Sequence, residues 1–79
     1  MFYVYLLESI TPPGHHYTGL TGDLRDRLHR HNSRQVVHTA KYAPWKLTTY
    51  VAFNDRSKAA KFERYLKSGS GRAFVKKRF

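Results

Sequence analysis

The chain has 79 residues, which suffices for one hydrophobic core and not for two, because a chain this short buries only roughly 60% of its unfolded surface. We therefore expect one domain over residues 1–79. The absence of cysteine excludes a disulfide scaffold, a cysteine zinc site and a cysteine nucleophile. Fifteen Lys and Arg against five Asp and Glu give a formal charge of +10, which predicts a polyanionic partner.

Charge alone does not rank nucleic acid above an anionic membrane. No apolar run approaches the ~18 residues needed to span a bilayer, and residues 1–7 lack the charged region and cleavage site of a signal peptide. No helical segment sets a basic face opposite a wide apolar face, which argues against membrane binding. We expect a soluble, cytoplasmic protein with a nucleic-acid partner and no membrane partner.

Two strands and a helix are predicted in the first part of the chain. Residues 2–7 form a short run of β-forming side chains covered on both faces, and residues 15–20 can return as the second strand of a hairpin. Gly19 marks a point where backbone or ligand comes close. From Asp23 the period becomes helical and ends at residues 32–33. One stripe of this helix holds Leu24, Leu28 and His31.

Residues 34–44 show no period and form the longest irregular segment, a feature typical of functional or mobile loops. Residues 45–53 alternate, which predicts a strand with one strongly apolar face. A helix follows a cap at Asn54 or Asp55 and ends at residues 68–71, and a last short helix covers about residues 72–78. The order β-β-α-β-α-α predicts an α+β fold, an antiparallel three-stranded sheet flanked by about three helices.

The acidic residues are few enough to consider singly. Four of them have structural explanations. Asp23 and Asp55 suit helix caps. Asp26 can pair with Arg30 at i, i+4, and Glu8 ends a strand. Glu63 lies in the middle of a predicted helix, where no cap is needed. Its commoner explanation is an ion pair with Lys67 four residues on, and its functional alternative is a single carboxylate ligand for Mg²⁺.

Two further pairs of side chains have a structural and a functional interpretation. Arg27 and His31 stand at i, i+4 on the first helix, either as a solvated charged face or to hold a phosphate and move a proton. Tyr5 and Tyr17 can lie side by side across the hairpin, either as packing or for acid–base chemistry. A phenol acts as general base where neighbouring cations lower its pKa from ~10. No ligand cluster at zinc spacing accompanies the histidines.

In their order and spacing these residues resemble the GIY-YIG nuclease family. The motifs that carry the resemblance are Tyr3-Val4-Tyr5, Tyr17-Thr18-Gly19, Thr21, Leu24, Arg27, His31, residues 38–47, Glu63, Tyr65-Leu66-Lys67 and Gly71-Arg72-Ala73-Phe74. They cover essentially the whole chain, which is most similar to small stand-alone bacterial endonuclease-like proteins. Tyr3 replaces the first glycine of the motif and Thr18 its isoleucine, and neither side chain is required for chemistry.

The resemblance implies an α/β sandwich and phosphodiester hydrolysis that depends on Mg²⁺ or Mn²⁺. It also implies roles for five residues: Tyr5 and Tyr17 as the motif tyrosines, Arg27 holding the pentavalent phosphate, His31 assisting, and Glu63 as metal ligand. On this basis we expect Tyr17, assisted by Tyr5, to deprotonate or orient a water. Exchanging the two tyrosines is equally compatible with the sequence.

The expected function is an endonuclease that acts on DNA rather than RNA, in repair or processing. Further phosphate contacts are expected from Arg34, His38, Lys41, Lys46, Arg72, Lys76 and Lys77. With no room for an appended domain, recognition is expected to be weak, led by nucleic-acid structure, or supplied by a protein partner. The alternatives are a noncatalytic nucleic-acid-binding module of the same fold and an interaction domain for an acidic protein. The sequence does not fix the oligomeric state.

Overall fold

A computed structural model describes residues 1–79 and contains one antiparallel sheet with helices on both faces. The strands lie in the order β2-β1-β3, so β1 is central. The elements are β1 (Phe2–Ser9), β2 (His16–Thr21), α1 (Leu24–Asn32), α2 (Val37–Ala40), β3 (Trp45–Phe53), α3 (Arg56–Lys67) and α4 (Gly69–Arg78). This architecture confirms the predicted α+β fold and its three-stranded antiparallel sheet.

Alternate residues of β1 enter two separate cores, because successive side chains of a strand point to opposite faces. Val4 and Leu6 pack with Ala59 and Leu66 on one face, which we call the α3/α4 face. Phe74 and Val75 of the last helix join this core, as predicted. The central strand is therefore covered on both sides, in agreement with its apolar run.

The second core lies on the opposite face of the sheet, which we call the α1 face. Tyr5 and Leu7 pack there with Ala43 and Trp45, and the apolar stripe of α1, Leu24 and Leu28, closes over them. His31 belongs to the same stripe and is fully buried. The helical period that begins at Asp23 thus places its one polar member inside the protein, with Asp23 capping the helix through the Asp26 amide.

The prediction of one apolar face along β3 is wrong. Leu6 pairs with Thr49 but Leu7 pairs with Leu47, so the pairing with β1 shifts by one residue at Thr48. Such a bulge moves the following side chains to the other face. Trp45 and Leu47 therefore pack on the α1 face, whereas Phe53 packs in the core of the α3/α4 face.

The helices differ from the sequence prediction in two places. The segment 34–44 is not wholly irregular, since it contains the single turn α2, and Arg34 before it adopts a left-handed conformation with φ 61°. The last helix starts at Gly69 rather than near residue 72, because Ser68 caps it through the Gly71 amide. A side chain at Gly71 would collide with the Tyr65 carbonyl oxygen, so glycine allows α4 to start directly beside the end of α3.

None of the helices combines the length and the apolar character that crossing a bilayer requires. The longest, α3, has 12 residues and carries charged side chains along its length.

Candidate active site

The hairpin of β1 and β2 places both motif tyrosines on the α1 face. Tyr5 lies opposite Gly19 and Tyr17 lies opposite Leu7, and the two phenol rings stand 6.3 Å apart between centroids. A Cβ atom at Gly19 would meet the ring and hydroxyl of Tyr5. The close approach predicted at Gly19 is therefore made by the Tyr5 side chain, for which the missing side chain leaves room.

His31 connects the tyrosines to α1. Its Nε2 lies 2.8 Å from the Tyr5 hydroxyl, and its ring centroid lies 5.0 Å from that of Tyr17. On the other side, Nδ1 lies 2.7 Å from the Thr39 hydroxyl of α2. Both ring nitrogens of His31 are thus engaged inside the protein, and the histidine does not project into solvent as a charged helix face would.

Burial shifts the pKa values of Tyr5 and His31, the two partners of this hydrogen bond. Burial raises the pKa of the Tyr5 phenol, Tyr17 and Glu63 raise it further, and the nearby Arg27 guanidinium opposes the shift. This is opposite to the lowering expected for a tyrosine among cations, because the ring is removed from water. Burial, aided by Arg27, lowers the pKa of His31 and keeps its imidazole neutral near pH 7.

Glu63 of α3 lies near Tyr5, Tyr17 and His31, which together we call the tyrosine cluster. Its carboxylate pairs with Lys67 Nζ at 3.1 Å, as the i, i+4 spacing predicts. The Lys67 ammonium also lies 5.8 Å from the centre of the Tyr17 ring. The negative charge of Glu63 helps to raise the pKa of Tyr5. The ion pair therefore sits at the edge of the tyrosine cluster rather than on a remote surface.

The residues around Glu63 fit a divalent cation held mainly by the substrate. The protein has no group of three or more His, Cys, Asp or Glu side chains that could hold an ion by themselves. Mg²⁺ commonly binds one or two carboxylates and completes its shell with water and substrate phosphates. Glu63 would meet that requirement as one carboxylate, with the rest of the shell supplied by water and a bound phosphate.

Arg27 is half-buried and lines a cavity of about 280 Å³ together with Arg56, the first residue of α3. Neither guanidinium forms a salt bridge with a carboxylate. Arg56 was not predicted as a site residue, because a basic residue after a helix cap is not distinctive. Thr39 lies in the segment without periodicity and was likewise not predicted to have a role in the site.

The other predicted phosphate contacts do not form one surface. Arg34, His38 and Lys41 are exposed in the connection between α1 and β3. Lys46 pairs with Glu8 at 3.7 Å. Arg72 and Lys76 line a cavity of about 710 Å³ beside the apolar side chains of the α3/α4 face, and Lys77 is exposed on the same helix. The positive charge is thus distributed over both faces of the sheet.

Residues 1–78 match the family model described as the GIY-YIG catalytic domain. No curated protein matches the chain. The GIY-YIG family is one of endonucleases, which supports a nuclease-type function and implies a nucleic-acid partner. Because the match covers all but the last residue, the chain belongs to the GIY-YIG family.

Proposed function

We propose that the protein is a metal-dependent endonuclease that hydrolyses phosphodiester bonds in DNA. The observation that carries the proposal is the buried hydrogen bond between the Tyr5 hydroxyl and His31 Nε2, with Arg27 and Glu63 close enough to act on the same proton. A phenol, a neutral imidazole, a guanidinium and a carboxylate in one cluster provide the groups that phosphodiester hydrolysis needs.

In the proposed reaction Tyr5 relays a proton from water to His31. The Tyr5 hydroxyl passes its proton to His31 Nε2 while its oxygen takes a proton from the attacking water, whose oxygen bonds to phosphorus. The ester bond between phosphorus and the leaving strand's sugar oxygen breaks in the same step, and that oxygen takes a proton from solvent. Because the two transfers are coupled, the free phenolate that burial disfavours is not formed. Tyr17, which is less buried than Tyr5, orients the water and the phosphate.

Arg27 holds the charge that develops on the phosphate oxygens, and its guanidinium is suited to bidentate contact. A divalent cation at Glu63 supplies further neutralisation of the phosphate when bound. Releasing Glu63 from Lys67 is part of the proposal, since the ion pair occupies the carboxylate.

Phosphates away from the scissile bond are proposed to contact Arg34, His38 and Lys41 from the α1 side, Arg56 at the cavity that it shares with Arg27, and Lys46, Arg72, Lys76 and Lys77 from the other side. The proposed setting is DNA repair or processing in the cytoplasm, with specificity supplied by nucleic-acid structure or a protein partner. What supports binding at both sides is the formal charge of +10.

One observation favours the alternative of a noncatalytic binding module. Lys67 pairs with Glu63, the only carboxylate in the cluster. Such an i, i+4 ion pair is what a glutamate with a purely structural role would form. Under this alternative the protein binds nucleic acid with a steep salt dependence and cuts none of it.

The test is incubation of the purified chain with labelled single-stranded, duplex and branched DNA and with RNA, in Mg²⁺, Mn²⁺ or EDTA. We expect cutting of DNA that needs the cation and that Glu63→Gln and Arg27→Ala reduce by roughly 10²–10³. Binding without cutting by the wild-type protein, or equal cutting by both variants, would reject the catalytic proposal.

A further inference from the structure

A buried chain of hydrogen bonds runs from the tyrosine cluster to α2. The Tyr5 hydroxyl contacts His31 Nε2 at 2.8 Å, His31 Nδ1 contacts Thr39 Oγ1 at 2.7 Å, and Thr39 Oγ1 lies 3.4 Å from the Val36 carbonyl oxygen. Tyr5, His31 and Thr39 are each at most 2% exposed. In the resting protein these polar groups are therefore paired mainly with one another.

When only protein groups are counted, one direction of donation along these hydrogen bonds gives every hydrogen an acceptor. If Thr39 donated to Nδ1, then Nε2–H would donate to the Tyr5 oxygen, and the Tyr5 proton would have no acceptor among the protein groups within hydrogen-bond distance. In the opposite direction Tyr5 donates to Nε2, Nδ1–H donates to Thr39, and Thr39 donates to the Val36 carbonyl. Buried donors are rarely left unpaired, which selects the second arrangement.

The backbone around Thr39 holds its hydroxyl in place. The Thr39 amide donates to the Val36 carbonyl at 3.1 Å, and the Thr39 carbonyl accepts from Trp45 Nε1 at 2.9 Å. Trp45 is in turn fixed to α1, because the Asn32 side chain bonds to both its amide and its carbonyl. Thr39 is therefore clamped between α1 and β3, in a segment that otherwise has little regular structure.

We propose that Thr39 is a positioning residue that fixes the tautomer of His31 and so keeps the Nε2 lone pair facing the Tyr5 hydroxyl. Thr39 does not touch the substrate. When the Tyr5 O–H bond breaks and an N–H bond forms at His31 Nε2, Thr39 continues to accept from Nδ1–H and holds the imidazolium in the same orientation. The inference rests on the proposed function for its catalytic consequence but not for the tautomer itself.

The tautomer is tested in the folded chain by the ¹⁵N chemical shifts of the His31 ring, without nucleic acid. We expect the proton on Nδ1 in the wild-type protein and in Thr39→Ser. We expect a mixture of tautomers in Thr39→Val, which keeps the shape and removes the acceptor. A proton resident on Nε2 in the wild type would overturn the inference, and that result does not depend on whether any variant folds.

Cleavage kinetics test the consequence. Thr39→Val should lower kcat roughly tenfold to a hundredfold with little change in KM, the usual range for a residue that orients a functional histidine, and Thr39→Ser should restore most of the rate. Thr48→Val is the matched control. It also removes a threonine hydroxyl that donates to a backbone carbonyl, here that of Leu6, but Thr48 does not take part in the hydrogen bonds that link Tyr5, His31 and Thr39. Equal loss in Thr48→Val, or no rescue by serine, would contradict a positioning role.

The two assays separate the failure of this inference from the failure of the proposed function. A wild-type protein that cuts no substrate rejects the endonuclease, while the ring shifts still decide the tautomer. A wild-type protein that cuts, with Thr39→Val cutting equally well, rejects the role of Thr39 and leaves the endonuclease standing.

Discussion

Each face of the sheet buries an apolar core, but the α1 face also buries hydrogen-bonded polar side chains. On the α3/α4 face, Val4 and Leu6 meet Ala59 and Leu66, and the contacts are apolar. On the α1 face, Tyr5 is also buried, yet its hydroxyl is bonded to His31. Burying apolar surface stabilises a fold, whereas burying hydrogen-bonded polar groups adds little net stability. Both faces therefore contribute apolar packing to the fold, and under the proposed function the polar groups buried on the α1 face carry the chemistry.

The largest expected effect lies on the α3/α4 face. Leu66→Ala leaves a cavity beside Val4 and Leu6 and should lower the free energy of unfolding by about 2–5 kcal/mol, measured by urea titration. Cleavage at a temperature where the variant remains folded should be unchanged. Tyr5→Phe is the counterpart on the α1 face, and it should lose cleavage at a smaller cost in stability. A loss of activity in folded Leu66→Ala would contradict the claim that cleavage depends on the α1 face and not on the α3/α4 face.

Gly19→Ala tests the room that the α1 face reserves for Tyr5. The new methyl group would overlap the Tyr5 ring and push its hydroxyl away from His31, costing about 1–3 kcal/mol as overpacking usually does. Gly22→Ala is the matched control, because a Cβ there meets no atom within 4 Å. We expect its unfolding free energy to stay near the wild-type value. Similar losses in both variants would show that the Tyr5 contact is not the cause.

Acidification should lower the free energy of unfolding, because His31 is buried on the α1 face with a lowered pKa. Its folded pKa lies below the unfolded value of 6.5, so between these two values the unfolded chain binds more protons. Stability from this group is complete above pH 6.5 and is lost as pH falls through the window, by at most about 1.4 kcal/mol per pH unit. Urea titrations from pH 7.5 to 5 should show this slope, and a His31→Gln variant should lack that contribution. An equal slope in the variant would contradict it.

The smallest expected effect concerns Arg56, which shares a cavity with Arg27. Arg56→Ala should raise KM several-fold, leave kcat within about twofold, and reduce the salt dependence of binding by about one counterion. Binding isotherms at several salt concentrations measure this directly. Lys58→Ala, an exposed cation on the same helix outside that cavity, is the control. A fall in kcat for Arg56→Ala would place it in the chemistry rather than in binding.

Local periodicity predicted much of the cluster. Alternation along β1 and a two-stranded hairpin sufficed to bring Tyr5 and Tyr17 together, and the helical stripe of Leu24 and Leu28 carried His31 inward. Thr39 could not be predicted in the same way. Its place depends on contacts with Trp45 and His31, which are distant in sequence from any repeating pattern around it.

The missed features of the fold have a similar cause. The bulge at Thr48 is a property of the pairing with β1, so the alternating pattern of β3 alone does not show it. The two glycines near the start of α4 are typical of a helix end. Here the Ser68 cap and the close contact at Gly71 override that preference.

Single-turnover cleavage by two arginine variants tests the central claim, that chemistry belongs to the α1 face, most directly. Arg27 lies in the tyrosine cluster, and Arg72 lies beside the apolar side chains of the α3/α4 face. With protein in saturating excess over labelled DNA, Arg27→Ala should cut roughly 10²–10³ times more slowly than wild type, and Arg72→Ala should cut within about threefold of it. Equal rates for the two variants would contradict the account.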